Sequence, residues 1–253
     1  MLVCKLGKFS GLRLLLTFAS FALCVSCIGC GYNYETGGGK PSGAPGSDTP
    51  SIQASSSEAE AANAASAKEP VIEASGWWAK DSFVHYGIKV VNPNNNLVAR
   101  DTQVQVVLYD EAGNVAFEDT HIIHEIGPNA TIGFTGTSGD GWAPASVDIS
   151  LVKGSTKWIE GTNYSNPFTI ESCEETDKGE FRYELEGEIT NNTSDYVSTV
   201  DMHALLIDES GQIVAGYPSE AYKIKAGKTK SYMQTISSAP DHASVEIYAQ
   251  PVG

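Results

Sequence analysis

Between residues 70 and 253 apolar and polar residues alternate in short runs of period two, and no stretch carries a long helical period. Val84, Tyr86, Ile88 and Val90 fall on one face of such a run. So do Val104, Val106 and Leu108, and later Met202, Ala204 and Leu206. This alternation marks strands with one buried face. It predicts strands near 71–78, 82–92, 102–110, 114–124, 130–137 and 145–152, then near 168–174, 180–190, 199–208, 212–224, 228–236 and 243–249. Short strands at regular spacing, with no helices between them, predict an all-β chain of the β-sandwich class.

The second set of strands repeats the first. At an offset of 98, Leu108, Asp110, Glu111 and Gly113 return as Leu206, Asp208, Glu209 and Gly211, and Ala145 to Ile149 returns as Ala243 to Ile247. Val84, Tyr86, Ile88 and Val90 need an offset of 99, at which they meet Tyr183, Leu185, Gly187 and Ile189, and Asn92 meets Asn191. A slip of one inside a strand would turn it inside out, so the extra residue belongs to the loop region 93–101. Each central strand runs into an Asp-Glu-x-Gly turn. Asp110 and Asp208 open these turns, and Gly113 and Gly211 supply positive φ.

The run Val106-Val107-Leu108-Tyr109-Asp110, after an Asn-ended strand and before a Gly turn, resembles the FxLYD family of prokaryotic envelope proteins. Val106 stands where the family name has Phe. The second copy, Ala204-Leu205-Leu206-Ile207-Asp208, keeps only Leu and Asp. The resemblance implies a small immunoglobulin-like domain, here two in tandem, often carried by lipoproteins or membrane-anchored proteins. It brings no established activity and no functional residues.

The N-terminus reads as an address. Lys5, Lys8 and Arg13 precede an uncharged apolar stretch from Leu14 to Ile28, short for a membrane-spanning helix and suited to a signal-peptide core. Gly29-Cys30-Gly31 resembles the lipobox of bacterial lipoproteins, in which cleavage precedes a Cys that carries a diacylglycerol; Ser26-Cys27 is the alternative. The position three before each is itself a Cys, not the usual aliphatic residue. Gly31 to Glu69 is rich in Gly, Ser, Ala and Pro and predicts a disordered tether. The expected organisation is a signal peptide (1–29), a tether (30–69), a first sandwich (70–152), a linker (153–167) and a second sandwich (168–253), held at the cell membrane and facing outward. Trp158 and Tyr164 in the linker are expected to pack between the domains.

A formal net charge of −15 opposes binding to phosphate backbones, so no nucleic acid is expected. The expected partners are the membrane, through the lipid anchor, and an envelope protein or glycan. Cys4, Cys24, Cys27 and Cys30 lie in the export region, which leaves Cys173 expected as an unpaired thiol.

Candidate chemistry is thin. His121 and His124, three apart on a strand, point to opposite faces and cannot share an ion without a bulge. His85, His203 and His242 have no acid or Cys partner at a recognisable spacing. The Asp-Glu turns lack the ligand spacing of a calcium loop, and Ser138 lacks a nucleophile-elbow context. No catalytic residue, cofactor or metal site is expected. Trp77, Trp78 and Trp142 stand out, because the second copy contains no Trp. An outward Trp77 or Trp78 together with Trp142 would form a platform for a sugar or a protein; core and inter-domain packing is the competing use.

Overall fold

The computed structural model describes residues 2–5, 66–80, 83–139, 141–180 and 182–252. The elements from residue 71 onward are all strands, as is the one at residues 2–5. In order these are β1 (Leu2–Lys5), β2 (Val71–Lys80), β3 (Phe83–Val91), β4 (Leu97–Tyr109), β5 (Val115–Ile126), β6 (Thr131–Ser138), β7 (Ser146–Leu151), β8 (Lys157–Glu160), β9 (Phe168–Gly179), β10 (Arg182–Asn191), β11 (Val197–Ile207), β12 (Ile213–Ile224), β13 (Thr229–Ile236) and β14 (Ser244–Pro251).

They form four antiparallel sheets with orders β5-β4-β7, β2-β3-β6, β1-β14-β11-β12 and β13-β10-β9. The first two enclose one core, built on Tyr86, Ile88, Val104, Val106, Leu108, Ile123 and Ile126. The last two enclose another, built on Leu185, Ile189, Met202, Ala204, Leu206, Val245 and Ile247. The residues that alternation placed inside are inside: Val104, Val106, Leu108, Ala204 and Leu206 are fully buried.

The copies superpose in register as well as in pattern. Val104 pairs with Leu151 and Met202 with Ala249; Leu108 pairs with Phe117 and Leu206 with Ala215. The slip has a structural cause. Asn92 and Asn191 are both fully buried at the ends of β3 and β10. Asn92 Nδ2 donates to the carbonyls of Leu97 and Ile126, while Asn191 Nδ2 donates to those of Asp195 and Ile224. The first carbonyl lies five residues on in one copy and four in the other, so the extra residue sits in the loop that each Asn closes.

The two sandwiches are stacked face to face. Strand β12 crosses β2, β3 and β6, so sheet β2-β3-β6 is covered on both sides. Leu205, Ile207, Ile213 and Tyr248 form a third apolar cluster at this junction, with Ala74 and Ile132 packed against it. Glycines set the spacing. A Cβ on Gly76 would overlap the Ile213 carbonyl, and one on Gly87 would overlap the Leu205 side chain. The linker joins the first sandwich: β8 pairs with β4, and Trp158 is buried in that core instead of between the domains. Tyr164 lies against Gly127 and lines a small cavity with residues of both sandwiches.

A disulfide corrects a further expectation. Cys173 is not an unpaired thiol; it is disulfide-bonded to Cys4, which β1 carries to the edge of β14 opposite Val245. Sequence reasoning assigned Cys4 to a leader and so removed it from the pairing. The lipidation candidates Cys30 and Cys27, and nearly all of the leader and tether, lie outside the described residues.

Candidate functional site

The Asp-Glu-x-Gly turns resolve into structural devices. Asp110 Oδ1 accepts the amides of Ala112 and Asn114 at 2.9 and 2.8 Å, and Asp208 Oδ1 accepts those of Ser210 and Gln212 at 2.8 and 2.9 Å. Gly113 and Gly211 follow at φ +79° and +83°. Hydrogen bonds, led by the Asn114 side chain on Asp110 and the Gln212 amide on Asp208, hold both carboxyls below the usual range. Each carboxylate is thus engaged in closing its own hairpin.

The histidines are also engaged separately. His121 Nε2 lies 3.1 Å from Ser138 Oγ and 3.1 Å from Asp119 Oδ2, whereas His124 Nδ1 lies 3.8 Å from Asp101. His203 is buried at the sandwich junction. The Thr135 amide donates to its Nδ1 at 3.2 Å, which places the ring proton on Nε2, 2.7 Å from the Gln250 amide. The Gln250 oxygen otherwise lacks a partner, so the amide is best turned with that oxygen toward His203. Burial lowers the His203 pKa to about 3, with His124 adding to the effect. Lys89 crosses the same junction to Glu246 at 2.8 Å.

Two partnerships were invisible in the sequence. His242 Nε2 meets Glu175 Oε1 at 2.6 Å, with both side chains fully enclosed and 67 residues apart in the chain. Burial pulls the His242 pKa down, but the bonds to Glu175 and to the Pro240 carbonyl outweigh it and leave the pKa raised. The second, His203 with Thr135, joins the two copies. Only the unbroken apolar run Ala204 to Ile207 hinted at this, since a strand buried on both faces has no polar alternation.

A groove of about 580 Å³ lies at the free edge of β2. Ser75 to Trp78 form its floor. Val147, Asp148 and Ile149 of β7 line one wall, and Ile213, Val214, Pro240 and Asp241 line the other. Trp77 pairs across from Tyr86 and packs on the first core. Trp78 pairs across from His85 and packs on the second core. Behind Trp78 the rings continue, with His85 tilted at 6.3 Å and then stacked on Tyr217 at 4.7 Å. Trp77 and Trp78 therefore share the groove but project to opposite sides of it. Trp142 is half-buried and does not line the groove, so the three Trp do not form one platform.

No protein-family model and no curated protein matches the sequence. Among solved structures the chain is similar to Bacteroides uniformis beta-glucuronidase 2 covalently bound to cyclophellitol-6-carboxylate aziridine. Identity is 11% and the TM-score 0.21, over 62% of this chain and 22% of that one. It is also similar to pT26-6p, at 8% identity and TM-score 0.21, over 79% of this chain and 65% of that one. A third likeness is to the N-terminal CBM22-1-CBM22-2 tandem domain from Paenibacillus barcinonensis Xyn10C, at 9% identity and TM-score 0.15, over 74% and 91%. The chain thus spans less than a quarter of the glucuronidase and about two thirds of pT26-6p. Overlaps this loose carry no argument about activity or ligand.

Proposed function

We propose that this chain is an exported, lipid-anchored protein of the bacterial cell envelope with a non-catalytic binding role. The observation that carries the reading is the N-terminal pattern: a basic start, an uncharged apolar stretch, and Gly29-Cys30 at its end. One diacylglycerol supplies two acyl chains, and at ~0.8 kcal/mol per buried methylene that is stable anchoring. The FxLYD-like runs around Leu108 and Leu206 support the same reading. So does the engagement of Asp110, Asp208, His203 and His242 in structural bonds, which directs attention from chemistry to surface.

Processing before Cys30 would remove β1 and Cys4 together. It would free the outer edge of β14 and leave Cys173 as a thiol. Radiolabelled lipid incorporation in cells tests the anchor: Cys30→Ala should abolish labelling and release the protein from membranes, while Cys27→Ala should leave both intact. Equal labelling of Cys30→Ala and the parent would overturn the assignment.

A further inference from the structure

We infer that the groove beside β2 is a strand-acceptor site, which binds an extended protein segment that has apolar side chains at alternate positions and carries lysine or arginine. The inference rests on the binding role proposed above and names its site and ligand class.

The floor of the groove is a sheet edge. Strand β2 ends the β2-β3-β6 sheet, and no other strand among the described residues pairs with its outer side. An edge strand presents backbone N–H and C=O groups ready to hydrogen-bond a further strand. This edge is also recessed, because β7 flanks it on one side and the start of β12 with Pro240 flanks it on the other. The four residues Ser75 to Trp78 offer roughly 13 Å of strand.

Side chains of an added strand would alternate between the two walls, and each wall combines apolar side chains with one aspartate. Val147 and Ile149 receive one set, beside Trp77. Val214 and Pro240, both half-buried, receive the other, beside Trp78. Main-chain bonds for affinity and alternate side-chain pockets for specificity are the hallmarks of recognition by strand addition. The charged residues lining the groove are Asp148 and Asp241, one on each wall and both exposed. They favour a segment that carries lysine or arginine and disfavour acids. A glycan is the poorer occupant, because stacking on sugar asks for a shared aromatic face, whereas Trp77 and Trp78 point to opposite sides of the sheet.

The test uses the full chain in detergent and a library of fluorescein-labelled, capped hexapeptides with Val, Ile or Thr at alternate positions and Lys at both ends. Fluorescence polarisation should identify saturable binders. Replacing the terminal Lys by Glu should weaken binding on the order of tenfold, and the Asp148→Lys/Asp241→Lys variant should reverse that preference. N-methylation of the backbone groups facing β2 should weaken binding by more than roughly tenfold. The inference fails if no member binds below about 1 mM, if N-methylation makes no difference, or if a neutral hexasaccharide displaces the peptide from the parent but not from a Trp78→Ala variant. Such a failure would leave lipid labelling at Cys30 untouched, so the two readings fall separately.

Discussion

Asn191 shows how much one buried side chain can hold. Its Nδ2 donates to two carbonyls, and its Oδ1 accepts the Thr193 amide at 2.9 Å and the Thr193 hydroxyl at 2.7 Å. Asn191→Ala leaves buried carbonyls without donors, and urea unfolding should show a loss of about 2–4 kcal/mol. His203 makes stability depend on acidity. Its pKa is about 3 in the fold against 6.5 when free, so the unfolded chain binds a proton that the folded chain refuses. Stability falls as pH drops below 6.5, by up to about 1.4 kcal/mol per unit. Denaturation at pH 7 and pH 5 should show the parent losing about 2 kcal/mol more than a His203→Gln variant. His242 works in the opposite sense. Its pKa is raised, so its contribution is full below 6.5 and is lost as pH rises through the folded value. Residue-level signals were unevenly legible. The two asparagines stood out by position because each ends a strand at the same place in its copy. The Glu175–His242 pair did not, because nothing local relates residues 67 apart.

Among the elements, β3 and β11 were legible on one face and opaque on the other. Their inward faces follow the period of two, and the register pairs found in both copies agree with it. Their outward faces carry the difference between the copies. Gln105 and Val107 of β4 correspond to His203 and Leu205 of β11, which are buried against the neighbouring sandwich. His85, Gly87 and Lys89 of β3 correspond to Glu184, Glu186 and Glu188 of β10. Sequence alternation reports that a face is buried but not against what, so the junction went unread. The groove was half legible: Trp77 and Trp78 drew attention, but the convergence of β2, β7 and β12 depends on how the sandwiches stack. Gly76 tests that stacking. Gly76→Ala drives a methyl into the Ile213 carbonyl and should cost about 1–3 kcal/mol in thermal or urea unfolding, as overpacked sites do. The same substitution at Gly211 meets open space, and its cost should come from positive φ alone, about 1–2 kcal/mol.

At the scale of the whole molecule, two copies of one sandwich are stacked so that sheet β2-β3-β6 of the first meets sheet β1-β14-β11-β12 of the second. The sheet of the second copy equivalent to β2-β3-β6 is β13-β10-β9, and its outer face carries Glu186 and Glu188, both exposed. Burying those carboxylates would oppose a third layer of the same kind, as polar caps do in repeat proteins. Replacing both with Val should therefore raise the sedimentation coefficient by self-association above that of the parent at the same concentration. The segment proposed above as a leader also contains Cys4, the partner of Cys173. Intact-mass spectrometry of protein extracted from cell membranes decides between these two fates. The account predicts a chain beginning at a diacylated Cys30, with Cys173 reactive to a thiol reagent. A chain that retains residues 1–29 with Cys4 and Cys173 joined would contradict it.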